Sequence, residues 1–167
     1  MYDALVMRLV LRRETTDEAM GMLARRFPAV VSLEFKYKSG EILWGVLTDQ
    51  GMLAVSSLPA LTSLNLSRCI KLTDEGMRAV RSCASLTSLT LTNCNKVTNV
   101  GLRELRGLTA LTELNLDYCR NVTDVGLQEL TSLVALNTLH LFSCSTSKAG
   151  RDALKAAITG LTIPYLP

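Results

Sequence analysis

LTSLTLTNCNKVTNVGLRELRGLTA, residues 86–110, recurs along the chain with small changes before and after itself. Its front, Leu86-x-x-Leu89-x-Leu91, alternates apolar and polar residues, the period of a short strand with one buried face. Cys94 follows at a turn, and Val97 packs inward ahead of Thr98-Asn99. Leu102, Leu105 and Leu108 then form one apolar stripe, which predicts a helix. Cys69, Cys94, Cys119 and Cys144 are each 25 residues apart. Leu61, Leu86, Leu111 and Leu136 keep the same period. A chain that repeats on such a beat is a pile of copies of one small unit.

Thr48-Asp49, Thr73-Asp74, Thr98-Asn99 and Thr123-Asp124 also recur in register. Either side chain of each pair can accept from the unpaired amides of a first helical turn. This reading makes the aspartates helix caps, each serving its own layer, and not calcium ligands. Gly51, Gly76, Gly101 and Gly126 return inside that turn, where glycine is poor helix material. Their return predicts a close backbone approach to a neighbour.

Weaker copies extend the pattern both ways. Met7-Arg-Leu9 and Val31-Ser-Leu33-Glu-Phe35 read as strands, with Thr16-Asp17 opening the helix between them. The step from Leu33 to Leu64 is longer than the norm, and residues 36–46 read as an inserted loop carrying Trp44. Residues 145–167 read as a C-terminal cap: a helix over Lys148 to Thr159, then Leu161-Thr-Ile163 as a final edge strand stopped by Pro164 and Pro167. The expected fold is one α/β domain over residues 1–167. It is a right-handed solenoid of six or seven parallel strands on a concave face, with helices on the convex face.

Composition narrows the function classes. The net charge is only +3, with 18 basic and 15 acidic residues interspersed, which disfavours a nucleic-acid surface. No apolar run is long enough for a membrane helix, so no membrane partner is expected. Five cysteines, four of them on the repeat, suit a reducing compartment, cytoplasmic or nuclear. One thiol per layer makes a straight column and not a converging metal site, so buried, inert thiols are expected. Cys83, at the end of an outer helix, reads as a packing or surface residue. No phosphate loop, HExxH, GxSxG or CxxC occurs, so neither an enzyme nor a cofactor is expected.

The string L-x-x-L-x-L-x-x-C-x-x-[LV]-T-[DN]-x-G-[LM], at Leu61–Met77, Leu86–Leu102 and Leu111–Leu127, resembles the cysteine-containing class of leucine-rich repeats. That class is best known from F-box/leucine-rich-repeat proteins, the substrate-choosing subunits of ubiquitin ligases. It also occurs in regulators without an F-box, of the antagonist-of-mitotic-exit type. Residues 26–33, RFPAVVSL, are similar to the first repeats of plant hormone-receptor F-box proteins. No F-box is found in this chain. The resemblance therefore implies the recognition half of an adaptor.

The polar strand positions line the concave face, and the middle units there are small and neutral. The last two gain Glu113, Asn115, Asp117, Tyr118, His140 and Phe142, with Arg68 at the edge of the patch. Aromatic and charged side chains on a bland face are what a protein or peptide partner needs. His140, the only histidine, reads as a contact residue. The alternative is a small-molecule sensor with the Trp44 loop as its lid. The apolar start of the chain, Leu5, Met7 and Leu9, predicts upstream repeats or an N-terminal partner domain over that open end.

Overall fold

The computed structural model describes residues 7–12, 15–36 and 47–164. The Trp44 insertion, the residues before Met7 and Pro167 lie outside them. Six strands form one sheet in chain order: β1 (Met7–Arg12), β2 (Val30–Lys36), β3 (Ser63–Asn65), β4 (Ser88–Thr90), β5 (Glu113–Asn115) and β6 (Thr138–His140). All neighbours run parallel, and Leu33, Leu64, Leu89, Leu114 and Leu139 stand side by side in register. Between them run α1 (Asp17–Arg26), α2 (Asp49–Val55), α3 (Asp74–Val80), α4 (Asn99–Arg103) and α5 (Asp124–Glu129), and α6 (Lys148–Ala157) follows β6. Among the described residues no helix is long and apolar enough to cross a membrane.

The periodic leucines and valines fill a single core between sheet and helices, most of them fully buried. No layer can bury its greasy side alone, so stability comes from neighbours. The middle helices are too short to persist in isolation. The apolar stripe of Leu102, Leu105 and Leu108 is not one α-helix. After α4 the chain tightens into a 3-10 turn over Glu104–Gly107, and α5 is followed by another over Leu130–Ser132. A spacing of three is the 3-10 period, in which side chains at i and i+3 eclipse.

The threonines cap α2 to α5: their hydroxyls accept from Gln50, Glu75, Val100 and Val125 N–H. The aspartates do not cap their own helices, which corrects the reading of the sequence. Each reaches into the next layer. Asp49 accepts from the Thr73 N–H and hydroxyl at 2.8 and 2.7 Å, and Asp124 from the Ser147 N–H and hydroxyl at 2.8 and 2.6 Å. Asn99 does the same with an amide, accepting from Thr123 N–H at 3.0 Å and donating to its hydroxyl at 2.9 Å. The glycines make room for these arms. A Cβ on Gly76, Gly101 or Gly126 would lie 2.5 Å from the Oδ1 of Asp49, Asp74 or Asn99.

A second ladder runs through the thiols. Cys94, Cys119 and Cys144 donate to the carbonyls of Leu66, Leu91 and Leu116, one layer back, at 3.1, 3.1 and 3.0 Å. Burial pushes the Cys119 thiol up to about 11 and Cys144 to about 12, and raises Cys94 well above its ordinary value. Cys83 is buried too, 3.8 Å from the Val55 carbonyl.

Candidate partner-binding face

The end of each strand shapes this face. Beyond their three regular residues β3, β4 and β5 keep pairing with the next layer: in β5, Leu116 N–H donates to His140 O at 3.0 Å and Tyr118 N–H to Phe142 O at 2.7 Å. Tyr118 then takes the left-handed conformation at φ 62°, as do Arg68, Asn93 and Ser143. That twist turns the chain from the sheet toward the buried cysteine. It costs a non-glycine residue on the order of 1 kcal/mol. Nothing in the side-chain pattern announces it, because four different residue types occupy the position.

Six of the seven expected contact residues gather on β5, β6 and the turns after them. Tyr118 and Phe142 meet edge to face, ring centroids 5.2 Å apart and planes at 77°. About two fifths of each residue stays exposed, 42% and 40%, so each retains an open ring surface. Glu113 is exposed and accepts from the Ser88 hydroxyl at 3.2 Å. His140 is half-buried beside Asn115. Arg68 is exposed but stands in the β3 layer, two strands from Tyr118. At about 4.8 Å per strand that is roughly 10 Å of backbone separation, which places Arg68 at the edge of the patch.

Two of the residues serve the fold as well as the face. Asn115 Oδ1 accepts from Asp117 N–H at 2.9 Å and from the Thr92 hydroxyl at 3.0 Å. Asp117 Oδ1 accepts from Phe142 N–H at 2.7 Å. Asp117 thereby holds the next layer's strand end under the Tyr118 ring. Its carboxylate puts negative charge beside the two rings. Such a surface attracts a cationic side chain, through charge and through ring quadrupoles.

Beside Phe142 lies a cleft of about 180 Å³, lined by Leu141, Ser143, Cys144, Arg151, Ile163 and Pro164. The sequence reading missed it because its far wall comes from the cap, outside the repeat, where no period carries a signal.

The Leucine Rich repeat family matches residues 58–80, 82–105 and 107–130. The fold is a leucine-rich-repeat solenoid. Such domains typically bind other proteins. Solved structures agree on the architecture. An internalin, inlF, from Listeria monocytogenes superposes with a TM-score of 0.65 over 88% of this chain, at 17% identity. The complex of Rad7 and Elc1 from yeast contains a chain that superposes with a TM-score of 0.59 over 81% of this one, at 25% identity. This solenoid spans only 37% and 32% of those chains. No curated protein matches the sequence.

Proposed function

We propose that this solenoid is a non-catalytic protein-binding module that grips a partner protein or peptide on the C-terminal half of its concave face. One observation carries the reading: the half-exposed Tyr118–Phe142 pair, braced by Asp117, next to strands β3 and β4, whose outward residues are small and polar. Rigid aromatic anchors dominate interface energies. The acidic surroundings favour a partner segment bearing Lys or Arg. Glu113, Asn115 and His140 extend the contact along the strands, with Arg68 at its edge.

The finer reading is the substrate-recognition part of a ubiquitin-ligase adaptor in the cytoplasm or nucleus. Its support is the cysteine-bearing repeat string, and the likeness to a structure of Rad7 with Elc1 fits a module that works inside a complex. The buried thiols, in no disulfide, suit a reducing compartment.

Tyr118→Gly tests the core claim cleanly, because glycine removes the ring and is at ease at positive φ. Immobilised chain incubated with extract, followed by mass spectrometry, is expected to lose a specific set of retained proteins in this variant. An identical set for both chains sinks the face proposed.

A further inference from the structure

In each inner layer the strand end hands two backbone N–H groups forward to the next. Leu66 and Arg68 donate to Thr90 O and Thr92 O, at 2.8 and 2.7 Å. Leu91 and Asn93 donate to Asn115 O and Asp117 O, both at 2.8 Å. Leu116 and Tyr118 donate to His140 O and Phe142 O. In the last layer the same two donors are Leu141 and Ser143, and Ser143 shares the left-handed turn at φ 59°. Among the described residues the cap pairs with the strand's beginning: Leu139 N–H donates to Thr162 O at 2.9 Å, and Thr162 N–H returns to Asn137 O at 2.8 Å. Pro164, two residues on, has no N–H to offer. Among the described residues, nothing accepts from the Leu141 or Ser143 N–H.

The side chains show the same open end. Cys69, Cys94 and Cys119 are completely buried, whereas Cys144 is half-buried. The cleft beside Phe142 opens against Leu141 and Cys144, whose counterparts in the inner layers, Leu116 and Cys119, are fully buried. On the helix side the aspartate ladder stops. Lys148 follows the Ser147 cap where Asp or Asn follows every earlier one, and it pairs with Asp152 at 2.6 Å. Another repeat of this kind would find no carboxylate arm to receive its threonine.

We infer that the outer half of the β6 edge is a strand-addition site for an extended segment of a partner protein. The segment's carbonyls take the Leu141 and Ser143 N–H groups, and an aliphatic side chain enters the cleft between Phe142, Ile163 and Pro164. Two donors two residues apart on a sheet edge are matched by alternate carbonyls of an extended chain and not by a helix. The three inner edges, each occupied by such a chain, are the precedent within this molecule. The site uses β6 and the cap, borders the Tyr118 surface at Phe142, and does not need the Tyr118 ring.

A suitable probe is a synthetic peptide with the sequence of residues 112–119, TELNLDYC, which fills the equivalent edge of β4, made with serine in place of its cysteine. Amide hydrogen exchange is read by NMR on the full chain. Without peptide, Leu141 and Ser143 are expected to exchange at least about 100-fold faster than Leu66, Leu91 and Leu116. Millimolar peptide is expected to slow both amides at least about tenfold. The response should persist in Tyr118→Gly, which separates it from the concave-face reading. It should vanish with a peptide carrying Asp at the position of Leu116, and since that change leaves the protein intact, no folding defect can mimic the loss. Protection of both amides before peptide is added would overturn the proposal: it would mean that the chain covers its own edge or, if the protection depends on concentration, that a second copy does. No response to the peptide, or one confined to Tyr118 and its neighbours, would overturn it as well.

Discussion

The Asp74 carboxylate accepts from both the backbone N–H and the hydroxyl of Thr98, each at 2.7 Å, across the boundary between two repeats. Its Oδ1 also accepts from Gly101 N–H at 3.0 Å. The Thr98 hydroxyl in turn accepts from Val100 N–H, so one threonine closes its own helix and ties that helix to the layer before. The same joint recurs from Asp17–Thr48 to Asp124–Ser147. It couples layers that otherwise meet through non-directional packing.

Removing that arm leaves three donors without their acceptor. Hydrogen bonds to charged groups contribute about 1.5–3 kcal/mol, and orphaned donors add a desolvation cost. Asp74→Ala is expected to lower stability by about 2–4 kcal/mol in urea denaturation. Asp74→Asn should cost less than about 1 kcal/mol, because Asn99 already does this work at Thr123. Equal losses for both variants would contradict the joint.

Gly101→Ala inverts an ordinary expectation. In an open helix the change gains about 1 kcal/mol. Here the new Cβ meets Asp74 Oδ1 at 2.5 Å, and overpacking of this kind costs about 1–3 kcal/mol. In an Asp74→Ala background the penalty should shrink, a coupling that a double-mutant cycle measures directly.

The thiol column sets an alkaline limit. Burial holds the folded Cys119 and Cys144 near 11 and 12, against an ordinary value of 9.0. A folded value raised above the unfolded one stabilises fully below about pH 9, and that contribution is lost as pH climbs toward the folded value. The urea midpoint should therefore fall between about pH 9 and 11. Cys119→Ala should flatten that fall, and an unchanged slope would mean the thiols do not carry it.

Tyr118→Gly and Asp117→Ala both strike the face but should part company in stability. The first relieves a left-handed residue and should hold or raise stability by up to about 1 kcal/mol. The second strips the acceptor from Phe142 N–H and should cost about 1 kcal/mol. Thermal melts of the two proteins, compared with their partner retention, separate binding from folding.

Much of this was legible beforehand because it is periodic. Leu64, Leu89 and Leu114 had to share a face, and the cysteines had to form a column, since a 25-residue repeat places equivalent side chains at equivalent points. Tyr118 and Phe142 stood out as rings on polar positions. Their edge-to-face contact did not, because the two differ in repeat position and meet only through the φ 62° turn. The aspartates were misplaced for a similar reason. Thr-Asp looks like a local cap, and only the stacking distance shows that the carboxylate is spent one layer onward.

Repetition in the sequence thus determined the solenoid, its parallel sheet and which residues are greasy, because burying a repeated pattern leaves few arrangements that satisfy every copy. What tertiary structure alone decided is where the copies touch: Asp74 on Thr98 and Asp117 on Phe142. Those contacts lie between side chains and backbone groups 24 or 25 residues apart, and their existence rests on the rise and twist of the stack, which no single repeat encodes.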